Sequence, residues 1–388
     1  MEQHGPADAP ARPRFTLLEL SGGMGDLGTF LPLVVATAAA CRMDMGMILV
    51  CAGVMNMVTG LLLRQPIPVQ PMKAIAAVAI TEALTRGEVA AAGLVMGALM
   101  LALALTGLMD AINRVVPREV VMGIQIGVGL KLAAKGVGWL LDLPLAGADS
   151  VFMALAVGGV LLLLLWRKWP AALLVFLFGM VLLAVARPEV YAGLTGGLPS
   201  VALIWPGGGD WLGGLIKAAL PQAPLTVLNS VVAVCALSAA YFPAQGVPPA
   251  RMAASVGLMN LLCAPLGGVP MCHGSGGLAA QYAFGARTGG SVVMLGTAKA
   301  AAGLALGSSL GQLVHAYPAA VLAPLLVLAG VELARAGRAS APNLWAVPLL
   351  TAACILVGNT GLGALAGCLA VAARGIWRSA AHDPAGQA

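Results

Sequence analysis

A chain of 388 residues with 9% charged side chains, 60% hydrophobic ones and a mean hydropathy of +0.94 cannot cover a water-facing surface, which excludes a soluble globular domain. Its formal charge of +6 does not indicate a nucleic-acid partner, because the basic residues stand singly in short connections without aromatic interleaving. The seven cysteines lie mostly in apolar stretches and form no C-x-x-C pair, so no disulfide framework, zinc site or other cofactor is supported.

The pattern predicts an all-α polytopic membrane protein. Residues 1–14, with Pro6, Pro10 and Pro13, are polar and read as a disordered tail without a cleavable signal peptide. A membrane helix needs about 20 apolar residues, and fewer where it stops halfway. On that rule fourteen candidate spans follow, at about 17–40, 46–63, 71–86, 89–112, 117–137, 150–166, 170–187, 218–240, 250–267, 274–285, 291–313, 317–336, 342–358 and 360–377. The third and tenth are short. Residues 191–217, with "WPGGGDW", read as an extramembrane loop, and 379–388 as a C-terminal tail. With the N-terminus inside, thirteen Lys and Arg fall in cytoplasmic connections; six (Arg42, Arg86, Lys131, Lys135, Arg187, Lys217) fall on the opposite side. That bias places both termini in the cytoplasm.

Two stretches recur. "GVMNMVTGLLLRQPIP" (53–68) aligns without a gap to "GLMNLLCAPLGGVPMC" (257–272), and "VPREVVMGIQIGVGLKLA" (116–133) to "YPAAVLAPLLVLAGVELA" (317–334). The matches pair Asn56 with Asn260 and Gly129 with Gly330, at offsets of 204 and 201 residues. Seven spans per copy is an odd number, so the second copy enters the membrane from the other side. Inverted repeats of this kind recur in secondary transporters, which bind substrate near the midplane between interrupted helices.

Matching interruptions are present. Pro66, Pro68 and Pro71 forbid helix before Met72, and Pro270 with Gly274, Gly276 and Gly277 does the same before "LAAQYAF". Irregular backbone survives at membrane depth only where protein buries it or it lines a wet cavity. Each break is therefore expected to be a short strand running into a half-helix, the third and the tenth, whose N-terminus suits an anion. Gln70 and Lys73 sit at the first break, His273 and Ser275 at the second. An ionisable residue inside a span defaults to function. The bland alternatives are a structural pair of Lys73 with Glu82 or Asp26, and glycines that only let helices pack closely.

Asp26, in "SGGMGDLGTFLP", is the first candidate for a proton-coupling carboxylate, with a salt bridge to Lys73 or Lys299 as the structural alternative. Glu19, Asn229, Gln281 and Lys299 are further polar residues within spans, kept as candidates for coupling or for supporting the site. "HGSGG" is not a hydrolase elbow, because that motif needs Gly two places before Ser and His273 stands there. An enzyme is not expected.

Taken together, "ELSGGMGDLGTFLPL", "PIPVQPMKAIAAVA", "GIQIGVGL" and "PMCHGSGGLAAQYAFGARTGGS" resemble the molybdate transporter family, a branch related to the SulP sulfate permeases, over about residues 15–335. The resemblance implies fourteen spans as seven-plus-seven inverted-topology repeats, each with a core domain followed by a gate domain. The boundaries would be 15–115 (core) and 116–190 (gate), then 218–316 (core) and 317–378 (gate). It implies substrate binding at Gln70, Pro71, Met72 and Lys73 with Ala74, and at His273, Gly274, Ser275 and Gly276 with Gly277. Regulation by the cytoplasmic domain typical of SulP proteins is not expected. The resulting expectation is a proton-coupled importer of a tetrahedral oxyanion, molybdate first and sulfate second, in the inner (plasma) membrane, with a homodimer allowed. A passive anion channel and a nucleobase or carboxylate transporter on the same fold stay open.

Overall fold

The computed structural model describes residues 12–24, 27–109, 117–167, 169, 171–339, 345–358 and 360–381. Arg114 and Lys168, counted above for orientation, lie outside the described residues, as does most of both tails.

The first apolar stretch forms two helices, α1 (Leu17–Met24) and α2 (Leu27–Cys41). Asp44 caps α3 (Met45–Leu63), its carboxylate accepting from the Met47 N–H at 2.9 Å. The prolines then hold the chain extended through strand β1 (Gln70–Pro71), and helix resumes at α4 (Lys73–Glu82). α5 (Arg86–Thr106) opens on a capping box between Thr85 and Glu88. Next come α6 (Arg118–Leu141), α7 (Val151–Trp166), α8 (Ala171–Ala186) and the short α9 (Pro188–Ala192).

α10 runs from Gly208 to Tyr241, beginning about ten residues before the predicted end of the loop. Lys217, which reads as a loop charge, is paired with Glu88 at 2.6 Å and so can enter the helix. Asp210 accepts from the Gly207 N–H at 2.9 Å and closes the first turn. Pro221 and Pro224 lack the N–H a regular helix needs, and on either side the turns at Gly214–Ala219 and Thr226–Val232 widen to π-helical pairing.

α11 (Pro249–Cys263) leads to strand β2 (Met271–Cys272) and α12 (Ser275–Ala283). α13 (Gly290–Leu306) was expected to continue to residue 313, but Gly307 adopts a positive φ of 47° and ends it, and the chain bends into α14 (Leu310–Ala316). α15 (Ala319–Ala339), α16 (Ala346–Val357) and α17 (Thr360–Ala381) complete the fold.

By length and composition, four helices among the described residues suffice to cross a bilayer, or five if α13 and α14 count as one bent span. The shorter apolar helical stretches, Phe30–Cys41, Val151–Trp166, Leu173–Ala186, Ala346–Val357 and Leu362–Arg374, fall short of a full bilayer thickness. Large apolar side chains stand exposed along α7 (Phe152, Leu155, Leu162), α8 (Val181, Val185) and α17 (Leu365, Leu369), as a lipid-facing belt requires.

Packing is reciprocal. α3 lies against α13 and α11 against α5, while α6 and α15 lie against each other. α1 touches α13 as the first turns of α10 touch α5. Small residues make the approach close enough for backbone contact. A Cβ on Gly129 would fall 2.5 Å from the Gly330 carbonyl oxygen, and one on Gly330 equally close to that of Gly129. Gly53 and Gly296 stand in the same mutual relation at 2.5 Å. Gly53→Val is therefore expected to lower stability by about 1–3 kcal/mol through overpacking. Gly138→Val, where an added Cβ meets nothing within 4 Å, should leave it unchanged. Thermal unfolding of both variants in detergent checks this; equal midpoints would show that the α3–α13 contact yields freely.

Candidate functional site

The two breaks cross. β1 and β2 pair antiparallel, Gln70 opposite Cys272 and Pro71 opposite Met271, and the Met72 N–H donates to the Pro270 carbonyl at 2.8 Å. Strands this short cannot hold themselves together, so side chains fix them. Asn260 holds Met271 from both sides, accepting from its N–H at 2.8 Å and donating to its carbonyl at 2.6 Å. His273, fully buried, bridges Pro68 and Ser255, with each ring nitrogen 2.9 Å from its partner. The Pro68 carbonyl can only accept, so Nδ1 carries the hydrogen there. In the neutral ring Nε2 then accepts from the Ser255 hydroxyl.

The crossing brings the N-termini of α4 and α12 to one cavity of about 200 Å³. Gln70, Lys73, Ala74, Gly274, Ser275 and Gly276 line it from the breaks. Gln222, Asn229 and Ser230 line it from α10, and Gln125 and Leu333 from α6 and α15. A water needs only about 10–15 Å³, so a polar space of this size is wet. A Cβ on Gly274 would displace the Gln70 carboxamide from its present place. An added Cβ at Gly276 would meet nothing within 4 Å.

The two helix ends differ. Among the described residues no protein acceptor meets the N–H groups of Gly276 and Gly277 in the first turn of α12. At α4 the Gln222 carboxamide oxygen accepts from Ala74 N–H at 3.0 Å and Ile75 N–H at 3.3 Å, and its amide donates to Thr226 at 3.0 Å. The protein itself thus caps this helix end. Lys73 lies in the first turn of α4 and makes no ion pair among the described residues. Glu82, one expected partner, belongs instead to Lys131 at 3.0 Å. Lys73 is within electrostatic range of Glu332 on α15.

Of the expected site residues, Gln70, Lys73, Ala74, Gly274, Ser275, Gly276 and Asn229 meet at this cavity. Pro71 and Met72 are buried in the strand and its exit, and Gly277 is buried without lining the space. His273 does not line it either, since one ring nitrogen is bonded to Pro68 in the other break and the second to Ser255 on α11. Glu19 lies at another end of the fold, where its carboxylate accepts from the N–H groups of Arg287 at 3.1 Å and Thr288 at 3.2 Å. Lys299 is buried between α3 and α13, donating to Asn56 at 3.0 Å and lying 3.5 Å over the Phe30 ring. Gln281 is fully buried with no partner for either amide atom among the described residues. Asp26 lies outside the described residues.

Gln222, Gln125 and Ser230 are lining residues that the sequence reading did not assign to the site. Gln222 did carry a signal: it is a polar residue between Pro221 and Pro224 in an otherwise apolar span, a third disturbed helix.

Comparisons with known proteins agree on the class. Residues 18–132 and 214–333 match the family model described as molybdate transporter of the MFS superfamily. Molybdate transporter 1 of Arabidopsis thaliana is 36% identical, over 95% of this chain and 93% of its own length. Molybdate transporter 2 of the same plant is 38% identical over 82% of this chain and 78% of its own. Among solved structures, the transmembrane domain of the cyanobacterium bicarbonate transporter BicA shares the fold, with a TM-score of 0.63 at 16% identity, covering 90% of this chain and 96% of that one. The murine anion transporter Slc26a9 in its inward-facing state gives 0.67 at 13% identity, covering 95% of this chain and 69% of that one. Identities this low carry the architecture alone, whereas the sequence matches carry the lineage: this chain belongs to the molybdate transporter family.

Proposed function

We propose that the protein is a proton-coupled secondary transporter that imports molybdate, with sulfate as the nearest competitor. The observation that carries the reading is the cavity where the N-termini of α4 and α12 converge beside Lys73. A dianion leaving water needs compensating charge and donors. Each helix end contributes about half a charge, and Lys73 adds a whole one. Together they favour an anion, with Glu332 on α15 the opposing charge within electrostatic range of Lys73.

The proposed frame is fourteen segments in two inverted sets of seven, with both termini cytoplasmic in the plasma membrane. Reciprocal packing of α3 on α13 and α11 on α5, and the mutual contact of Gly129 and Gly330, support it. In this frame α6 and α15 belong to the gate and the other lining elements to the core, so the cavity lies between the two. Gln125 and Leu333 are displaced from the central Gly129–Gly330 contact toward Arg118 and Ala339, the cytoplasmic end.

Equilibrium binding of molybdate, tungstate, sulfate and uracil to the purified protein tests the substrate. Molybdate should bind tightest of the physiological ions; a preference for sulfate or uracil would overturn the assignment. Uptake into proteoliposomes should saturate and rise with an inward proton gradient. Non-saturating flux indifferent to pH would mark a passive channel instead. Labelling of a C-terminal tag from outside intact cells would overturn the orientation.

A further inference from the structure

A second cavity, of about 510 Å³, shares no lining residue with the central one. Its walls come from the corner between α2 and α3 (Arg42, Asp44), the start of α5 (Arg86), residues 200–204, the turn after α11, and α14 (His315). α4 connects the two spaces. Its ten residues span about 15 Å, with Lys73 at the central cavity and Arg86 just past the other end.

The charges in this second space are unequal. Arg42 and Arg86 are exposed, and neither makes an ion pair among the described residues. Asp44, the carboxylate of the wall, is already engaged: it accepts from the Met47 N–H at 2.9 Å and the Ser200 N–H at 3.3 Å. Two arginines and one backbone-held carboxylate therefore line the space, while Asp210, beside Thr85 and Gly87, accepts from the Thr85 hydroxyl and the Gly207 N–H. A guanidinium fork matches the spacing of oxyanion oxygens. A cleft with an excess of one sign also concentrates the opposite ion and speeds its association about 10- to 1000-fold.

We propose that this cavity is a second oxyanion site, a capture vestibule in which Arg42 and Arg86 hold the anion at the opposite end of α4 from the central cavity. The inference rests on the reading of the chain as an oxyanion transporter. It adds a place where the ion is held before translocation.

Equilibrium titration of the purified protein with molybdate and with tungstate tests it. The wild type should bind two ions of unequal affinity. The double variant Arg42→Gln/Arg86→Gln should lose the weaker one and keep the stronger, with thermal stability as in the wild type. Lys73→Met should do the reverse. The arginine-dependent site should weaken on the order of ten-fold between about 0.01 M and 0.1 M of a non-competing salt, as the screening length falls from about 30 Å to about 10 Å. Arg42→Lys/Arg86→Lys, which keeps the charges, should retain the weaker site. A single binding event in the wild type, untouched by Arg42→Gln/Arg86→Gln, would overturn the vestibule while leaving the central site in place. Binding that depends on the arginines and ignores Lys73→Met would instead overturn the central site. No binding at all would overturn both.

Discussion

Lys73→Met is expected to weaken molybdate binding by about 2–5 kcal/mol, roughly thirty- to several-thousand-fold in Kd, with no loss of stability in the empty protein. The two halves of this result have one cause. A lysine in the first turn of a helix opposes the helix dipole, an arrangement that costs about 0.3–1 kcal/mol while no anion is present. Once a dianion arrives, the same cation and the same N–H groups act on it together. Methionine keeps the apolar stem and removes the charge, so the empty fold loses nothing and the loaded one loses a partner for a desolvated anion. Ser275→Ala removes one neutral donor and should cost about 0.5–1.5 kcal/mol. Calorimetric titration of both variants gives the ordering. Wild-type affinity in Lys73→Met beside a large loss in Ser275→Ala would mean the lysine does not face the anion.

Gln222→Glu should abolish binding more completely, by at least a hundred-fold, in a protein that still folds. The carboxamide oxygen already accepts from Ala74 and Ile75 at the α4 terminus. A carboxylate in its place would hold those donors about twice as strongly and put a fixed negative charge beside Lys73. Unit charges about 4 Å apart interact by about 4 kcal/mol at an effective dielectric of 20, and a dianion meets that repulsion twice. Gln222→Leu is the control, because it frees the same N–H groups without adding charge and should bind at least as well as the wild type. Equal losses in both variants would show that the glutamine is itself a ligand; wild-type binding by Gln222→Glu would remove the α4 terminus from the site.

What the sequence could reveal here was backbone. The closely spaced Pro66, Pro68 and Pro71 and the glycine-flanked Pro270 made the two breaks readable, and the strands lie at Gln70–Pro71 and Met271–Cys272. Lys73 and Ser275 were readable as lining residues too, because each sits in the first turn after a break. Side chains with a choice of direction were not. His273 stands one residue from the cavity, but its acceptor is Pro68, 205 positions away, and that bond turns it from the anion. Gln222 reaches α4 across 148 positions, and nothing local to "LPQAPL" says which helix end it caps. The start of α10 was missed for a related reason: Lys217 reads as a loop charge until Glu88 is known to stand beside it.

The glycines of α3 decide how the site can move. Gly46, Gly53 and Gly60 stand seven residues apart, and Gly303, Gly296 and Gly289 run the opposite way on the facing segment with the same spacing. Gly53 rests on the Gly296 carbonyl, Gly60 on that of Gly289, and Gly303 on that of Gly46. Sliding α13 along α3 by one turn, about 5.4 Å, would bring bulky side chains against those carbonyls. The next register that matches glycine to glycine lies seven residues on, about 10.5 Å away, too far to reach by small adjustments. Shear between these two helices is therefore blocked, and they behave as a single stiff plank. Any stroke that exposes the anion first to one side of the membrane and then to the other must carry that plank whole, leaving the deformation to the connections around it.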